Sequence, residues 1–480
     1  LLILIWPLAG MVLSWLPSKS ATGITAFTLS LMGLALTLFM FCNFNADGSM
    51  QQVLNYAWVS DLGISFKIGI DGISMLMVLL TNVLTPLILL SSLDRKIESP
   101  KAFYSLILLM QFALIGVFVS LDAFLFYIFW ELALIPIYFI CLLWGGKDRI
   151  RITLRFFIYT LSGSLLMLVA LIYLYLQTPG NHSFDIQAFY DLSLTNHQQT
   201  FVFWLIFLAF AIKIPVFPLH SWQPDTYTDA PTQGTMLLSG IMLKMGIYGI
   251  LRWLLPVVPA AAADHAFLIM LFCIIGVIYA SCIAIVQKDY KRLIAYASIA
   301  HVGLITAGLF TFNQEAIEGA VFQMLSHGIN AVGLFFVADI IMKRTNTRNL
   351  DQLGGLAHNN RLFTILFVII MLGTVALPLT NGFVGEFLLL SGIYKYNAWF
   401  ALAAGLSIIL GAVYMLRSYQ AIMLGSRHCS EGEFPPLTNS EKLVLVTVTL
   451  IIIATGVYPS MVMNVAAPSV KSLLMIINAG

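Results

Sequence analysis

Charge is what this sequence has least of. Asp, Glu, Lys and Arg make up 10% of its 480 residues, against 60% apolar; a soluble domain carries about 25% charged residues. Such a chain cannot cover a water-soluble surface, so the usual step from length to about three soluble domains fails. Cysteine is scarce too. The five are Cys42, Cys141, Cys273, Cys282 and Cys429. No two stand as Cys-x-x-Cys, which excludes the iron–sulfur, zinc and c-type haem motifs built on that spacing. Gly-x-Gly-x-x-Gly and the phosphate loop are also absent. Long polar loops are missing: the two longest, 43–69 and 177–199, are too short for a separate soluble domain. The apolar start lacks a basic n-region and a small-residue cleavage site, so Leu1 is read as lying within a first helix whose true start is missing, not within a signal peptide.

Apolar runs fill the rest. A span needs about 20 such residues. The runs predict an all-α, polytopic membrane protein of about 14 transmembrane helices, near 1–16, 23–43, 70–92, 102–120, 122–144, 153–176, 200–219, 231–255, 265–286, 290–310, 316–342, 362–394, 398–424 and 441–463. The stretch 362–394 is too long for one straight span and is interrupted at "LPLTNG", which predicts two half-helices and a bend. A last apolar piece, 465–478, is expected to lie along the surface. Basic residues gather on the cytoplasmic side of membrane proteins. Alternating the helices puts 18 of the 24 basic residues on one side. Four, Lys67, Arg252, Lys395 and Lys471, fall on the other, and Lys213 and Lys244 fall inside spans. This orientation places both termini on the periplasmic side, with the bacterial inner membrane as the expected location.

Four ionisable residues lie deep in apolar runs: Glu131 in "LFYIFWELALIPIYF", Lys213 in "AIKIPVFPLHSW", Lys244 in "TMLLSGIMLKMGIYGI" and Glu386 in "NGFVGEFLLL". Each costs about 2.5–3.5 kcal/mol at mid-helix on insertion scales. A structural Glu131–Lys213 ion pair is the plain alternative, yet an apolar pair would hold helices as well. Lys244 has no second acid nearby in sequence. A buried lysine balanced between desolvation and a neighbouring carboxylate exchanges its proton as that charge changes, which is what a proton relay needs. Pro215 breaks the helix one turn beyond Ala211, and freed carbonyls at membrane depth require a wet or protein-filled cavity. Pro378, Thr380, Asn381 and Gly382 repeat the device near Glu386. Two matched breaks point to inverted repeats, here helices 4–8 and 9–13, with helices 7 and 12 broken. The corresponding divisions are 1–101, 102–255, 265–424 and 441–480.

His301 in "ASIAHVGLI" and His327 in "QMLSHGINAVG" stand mid-span on helices 10 and 11, where a near-neutral group suits proton shuttling. Ser298, Ser326 and Asn330 continue a polar file or bond helices together. Capping competes with function at His220 and Asp225, and Asp339 with Lys343, spaced i and i+4, reads as a surface pair. His182, His197, His358 and His428 are read as loop residues without a role.

"FYIFWELALIPIYF", "AIKIPVFPLHSWQPD", "APTQGTMLLSGIMLKMGIYGILRW", "KRLIAYASIAHVG" and "NGFVGEF" together resemble the antiporter-like proton-channel family of respiratory complex I, the proton-pumping NADH:quinone oxidoreductase. The likeness runs over nearly the whole chain. Glu386, where sister subunits and the multisubunit cation/proton antiporters usually carry lysine, points to the subunit M branch, whose mitochondrial counterpart is chain 4. The resemblance implies that Glu131 pairs with Lys213, and that Lys244, His301 and His327 relay protons to an exit-side Glu386. It implies flavin, iron–sulfur clusters and quinone in partner subunits, none of them in this chain, and neighbouring antiporter-like subunits in the bilayer. After "PLHSW" the family commonly reads Leu-Pro-Asp-Ala-His; here Gln223, Pro224, Asp225, Thr226 and Tyr227 stand, so an obligatory proton-uptake histidine at that place is in doubt. The expected mechanism moves protons from the cytoplasm past Lys213 and Lys244 to Glu386, with the Glu131–Lys213 pair as switch. The alternatives are a subunit of a multisubunit cation/proton antiporter or membrane-bound hydrogenase, and a scaffold without transport.

Overall fold

A computed structural model describes residues 1–358, 360–425 and 434–479; Arg427, His428 and Cys429 lie outside them. The elements in chain order begin with α1 Leu2–Leu13, α2 Thr22–Cys42, β1 Gln51–Val59, β2 Ile64–Ile70 and α3 Gly72–Leu90. They continue with α4 Pro100–Val119, α5 Ala123–Trp144, α6 Arg149–Gln177, α7 Ile186–Tyr190, α8 Asn196–Lys213 and α9 Gln223–Asp229. The run Thr232–Leu254 is one span, α10. Then come α11 Pro259–Val286, α12 Tyr290–Leu309, α13 Gln314–Thr345, α14 Arg361–Thr374, α15 Asn381–Tyr396, α16 Ala398–Met423, α17 Asn439–Val457 and α18 Ser460–Ala479. Short polar residues start the long helices by taking up their free N–H groups. Asp122 accepts from Phe124 and Leu125, Asp289 from Arg292, and Thr195 and Thr438 build capping boxes with Gln198 and Glu441.

Among the described residues, twelve helices are long and apolar enough to cross a bilayer. Three predicted spans are not among them: α1 is short, and helices 7 and 12 are broken into α8/α9 and α14/α15. The remaining member of the twelve is α18, which covers the tail expected to lie on the surface. Its Ser469 hydroxyl accepts from Gly72 N–H at 2.8 Å, so it packs over the start of α3. The expected loop 43–69 holds an antiparallel hairpin, β1 with β2. Lys67 of β2 pairs with Asp185, just before α7, which ties the hairpin to the second long loop. These features share one end of the bundle, called the hairpin side below.

The helices fall into a ring and a core. Every residue of the apolar window of α10 and α13 is buried, and most of α3, α4 and α12, whereas only a third or less of the windows of α2, α16 and α17 is buried. A helix that never meets lipid can carry polar side chains on any face. Gly240 of α10 and Gly328 of α13 allow the two core helices to touch: a Cβ on Gly328 would stand 2.7 Å from Gly240 O.

Both breaks have the same backbone chemistry. Pro215 has no N–H for Ala211 O, and Val216 N–H supplies the bond instead at 2.9 Å; Leu219 N–H then bonds Val216 O. At the second break Leu377 N–H bonds Leu372 O at 3.1 Å, and Thr380 N–H bonds Leu377 O. Ala376, one residue before the bridging N–H of the second break, has a positive φ of 61°. Aligned on these bonds, Lys213 corresponds to Thr374. The Trp222 indole satisfies Ile212 O at 2.9 Å, and the Thr380 hydroxyl satisfies Leu377 O at 2.6 Å. At the first break a freed carbonyl, Ile212 O, thus finds its partner inside the bundle, as membrane depth demands.

Candidate proton-relay site

Lys244 is fully buried at the middle of α10. Its Nζ donates to Ser239 O at 2.6 Å and lies 2.7 Å from His327 Nδ1. The carbonyl is exposed by a π turn, Leu238–Met242, and a second, Ile250–Leu254, follows the residue. Such turns widen a helix and free backbone groups, often at functional sites. Lys244 therefore does without an acid; a carbonyl and an imidazole hold it.

His327, on α13, carries the chain onward. Its Nε2 is 3.0 Å from Ser298 Oγ of α12. A charged Lys244 donates to Nδ1, leaving the imidazole proton on Nε2 to bond Ser298; a neutral Lys244 accepts from Nδ1–H while Ser298 donates to Nε2. The two states differ by one proton: a proton crossing the 2.7 Å contact to Nδ1 is balanced by the Nε2 proton leaving toward Ser298, and the tautomer follows the transfer.

The His301 ring centre is 5.8 Å from that of His327. Between them is a cavity of about 20 Å³ lined by Ser298, His301, Gln323, His327, Asn330 and Thr374 among others. That is room for one water, for which about 10–15 Å³ suffices. His301 Nε2, Gln323 Oε1 and Asn330 Oδ1 are buried without protein partners. His301 Nδ1 reaches Glu386 Oε1 at 3.0 Å, and Gln323 Nε2 donates to the same oxygen at 3.3 Å. Gly385 makes this approach possible, since a Cβ there would stand 2.3 Å from Gln323 Oε1. Lys244, His327, His301 and Glu386 are thus brought together across α10, α13, α12 and α15.

Glu131 and Lys213 are not. No ion pair within 4.0 Å joins them among the described residues. Lys213 is 2% exposed, and its Nζ stands 5.4 Å from the centre of the Trp130 ring. Glu131 acts on it electrostatically from farther off, and its Oε1 has no hydrogen-bond partner. Nor does a hydrogen bond join Lys213 to Lys244 among the described residues. The indole of Trp130, one residue before Glu131, takes the cation that the carboxylate was expected to hold.

Other expectations change as well. Asp339 is not a surface partner of Lys343. It is buried, pairs with Arg95 and accepts from Thr232 Oγ1 at 2.5 Å, while Lys343 lies 3.8 Å from Glu441. Asp339 and Lys343 share a helix face, but α10 and the α3–α4 turn close over the aspartate. Neither His220 nor Asp225 caps a helix: the His220 ring stacks on Phe217, and Asp225 binds Arg155 and Arg292 at 3.2 and 3.0 Å. Tyr227, in place of the family's histidine, is fully buried with its hydroxyl unpartnered. Ser326 bonds Asn381 O at 3.1 Å and joins helices. Gln323 escaped the sequence reading; its signal was there, four residues before His327 on the same face.

Buried titratable groups that approach one another across the bundle core, flanked by two matched breaks, define a class: antiporter-like, proton-translocating membrane subunits. Comparison with known proteins gives the particular one. Residues 120–411 match the family described as NADH:quinone oxidoreductase/Mrp antiporter, TM, and the chain belongs to that family. It is 41% identical over 450 residues to NADH-quinone oxidoreductase subunit M of Rickettsia conorii, covering 93% of this chain and 91% of the relative. It is 36% identical over 455 residues to NADH-ubiquinone oxidoreductase chain 4 of Marchantia polymorpha, covering 94% and 91%. A chain of respiratory complex I from Thermus thermophilus with bound NADH superposes with a TM-score of 0.91 at 28% identity, covering 99% of each chain. The protein is an integral membrane subunit of a multisubunit complex.

Proposed function

We propose that this chain pumps protons through Lys244, His327, His301 and Glu386, driven by quinone reduction by NADH in partner subunits. The observation that carries the route is the 2.7 Å contact between Lys244 Nζ and His327 Nδ1. From there the proton crosses the polar cavity to His301 and passes to Glu386, for release on the hairpin side. Lys213 and Glu131 form the input and switch. Their separation in this structure fits the uncoupled position of such a switch. A carboxylate moving toward Lys213 holds its proton, and one moving away releases it toward Lys244. At an effective dielectric of about 20 a unit charge at about 4 Å is worth roughly 4 kcal/mol, against about 2.3 kcal/mol per charge for 100 mV.

The neighbours are other antiporter-like membrane subunits, and the flavin, iron–sulfur clusters and quinone belong to partners. The setting is the bacterial inner membrane with both termini on the periplasmic side, which the uneven distribution of basic residues supports. The matched breaks support helices 4–8 and 9–13 as repeats, within divisions 1–101, 102–255, 265–424 and 441–480. Lys244→Ala and Glu131→Ala in the assembled complex test the reading: both should lose proton pumping, and full pumping by both would end it.

A further inference from the structure

Arg252 and Asp71 form a buried ion pair that the relay does not use; their side chains are 5% and 3% exposed. Asp71 starts α3 and also accepts from Ser74 N and Oγ at 3.0 and 2.8 Å. Ser74 Oγ lies 3.2 Å from the Tyr248 hydroxyl, which donates to Phe118 O at 2.9 Å. The guanidinium stands 5.8 Å from the centre of the Tyr248 ring, and Tyr190 donates to Arg252 O at 2.8 Å. An apolar pair would stabilise the bundle equally well, so stability alone does not explain these charges.

Their position does. Lys244, Tyr248 and Arg252 follow at four-residue steps along α10, which puts Arg252 about 12 Å beyond Lys244 on the hairpin side. There a cavity of about 350 Å³ opens, lined by Lys67, Asp71, Tyr190, Arg252 and Ser469 among others. The short way for a proton from Lys244 to that side runs straight along α10. The relay instead goes sideways to Glu386. A pump with the straight way open would leak.

We propose that Arg252, fixed by Asp71, is a proton block that closes the hairpin-side end of α10 and forces protons from Lys244 into the lateral relay; this rests on the route given above. A guanidinium has five donors and no acceptor, and it does not lose its proton. A hydrogen-bonded wire cannot pass through it, and its fixed charge repels an excess proton, as arginine does in water-selective pores. Asp71 is occupied by Arg252 and Ser74, and the Tyr248 hydroxyl by Ser74 and Phe118, so neither offers a detour.

The test is passive proton permeability of the assembled complex in sealed vesicles, under an imposed pH gradient and without turnover. The double variant Asp71→Asn/Arg252→Gln removes both charges together and places amides, which donate and accept, in the path. Its gradient should collapse roughly tenfold faster or more while quinone reduction continues. Arg252→Lys, whose amine can give up its proton where a guanidinium cannot, should leak too, though less than the double variant. Adding Lys244→Met to the double variant should restore tightness. If the double variant does not assemble, Asp71→Ser/Arg252→Asn, a smaller neutral pair, gives the same reading. A double variant as tight as the wild type overturns the block, and so does a leak that Lys244→Met leaves unchanged. Lys244→Met alone, scored for pumping in the same vesicles, judges the relay separately.

Discussion

The two breaks share a backbone and differ in what they hold. At α8/α9 the first break keeps a lysine, Lys213, against an aromatic ring, with its acid out of contact. At α14/α15 the second places Thr374 at the corresponding position on a polar cavity, and its acid, Glu386, is already bonded to His301 and Gln323. Proton transfer needs groups in hydrogen-bond reach or bridged by water, and only the run from Lys244 to Glu386 has them, with the water-sized cavity between His327 and His301. The first half has a gap instead. On the proposed route one fold device thus serves two ends: a relay that conducts and an open pair that gates. A pump needs both, because a chain connected throughout would conduct in either direction.

The comparison can be broken at its hinge. Gly328→Leu drives a side chain into α10 backbone at the Gly240 crossing and separates Lys244 from His327. Overpacking of this kind costs about 1–3 kcal/mol or more, and the expected outcome is loss of essentially all pumping, read as acidification of vesicles during quinone reduction, with reduced recovery of the complex. Smaller effects should grade by half. Glu386→Gln keeps shape and the bond from Gln323 but cannot pass a proton, and should slow pumping by roughly tenfold to hundredfold, about 1.4–2.7 kcal/mol in barrier. Glu131→Asp should cost only a few-fold, under about 1 kcal/mol, because Glu131 acts on Lys213 from a distance and its Oε1 has no hydrogen bond to lose; Glu131→Ala should be clearly worse. If Glu131→Asp proves as damaging as Glu386→Gln, the contrast between the halves is wrong.

Much of this was legible in the sequence, for physical reasons. Apolar length gives spans, and prolines in apolar runs give breaks. Glu131, Lys213, Lys244, His301, His327 and Glu386 stand out because the bilayer penalises them. Partnership was harder to read. Asp339 and Lys343 stand one turn apart, yet Asp339 bonds Arg95 and Thr232, from segments far away in sequence. Glu131 and Lys213 match in charge, but the Trp130 ring sits where the contact was expected. The acid missing for Lys244 proved unnecessary, because a π turn supplied a carbonyl and α13 an imidazole. Helix period shows which face a residue shares; it does not show which helix packs there. The hairpin in 43–69 was missed because β1 is mostly exposed and so lacks strict apolar alternation.

The most direct test is a double-mutant cycle on Lys244 and His327. Proton pumping and quinone reduction are measured together in vesicles carrying Lys244→Ala, His327→Ala and both. Two groups sharing one proton act as a unit, so the double variant should pump no worse than either single variant. Losses that multiply, or full pumping without either residue, would contradict the relay.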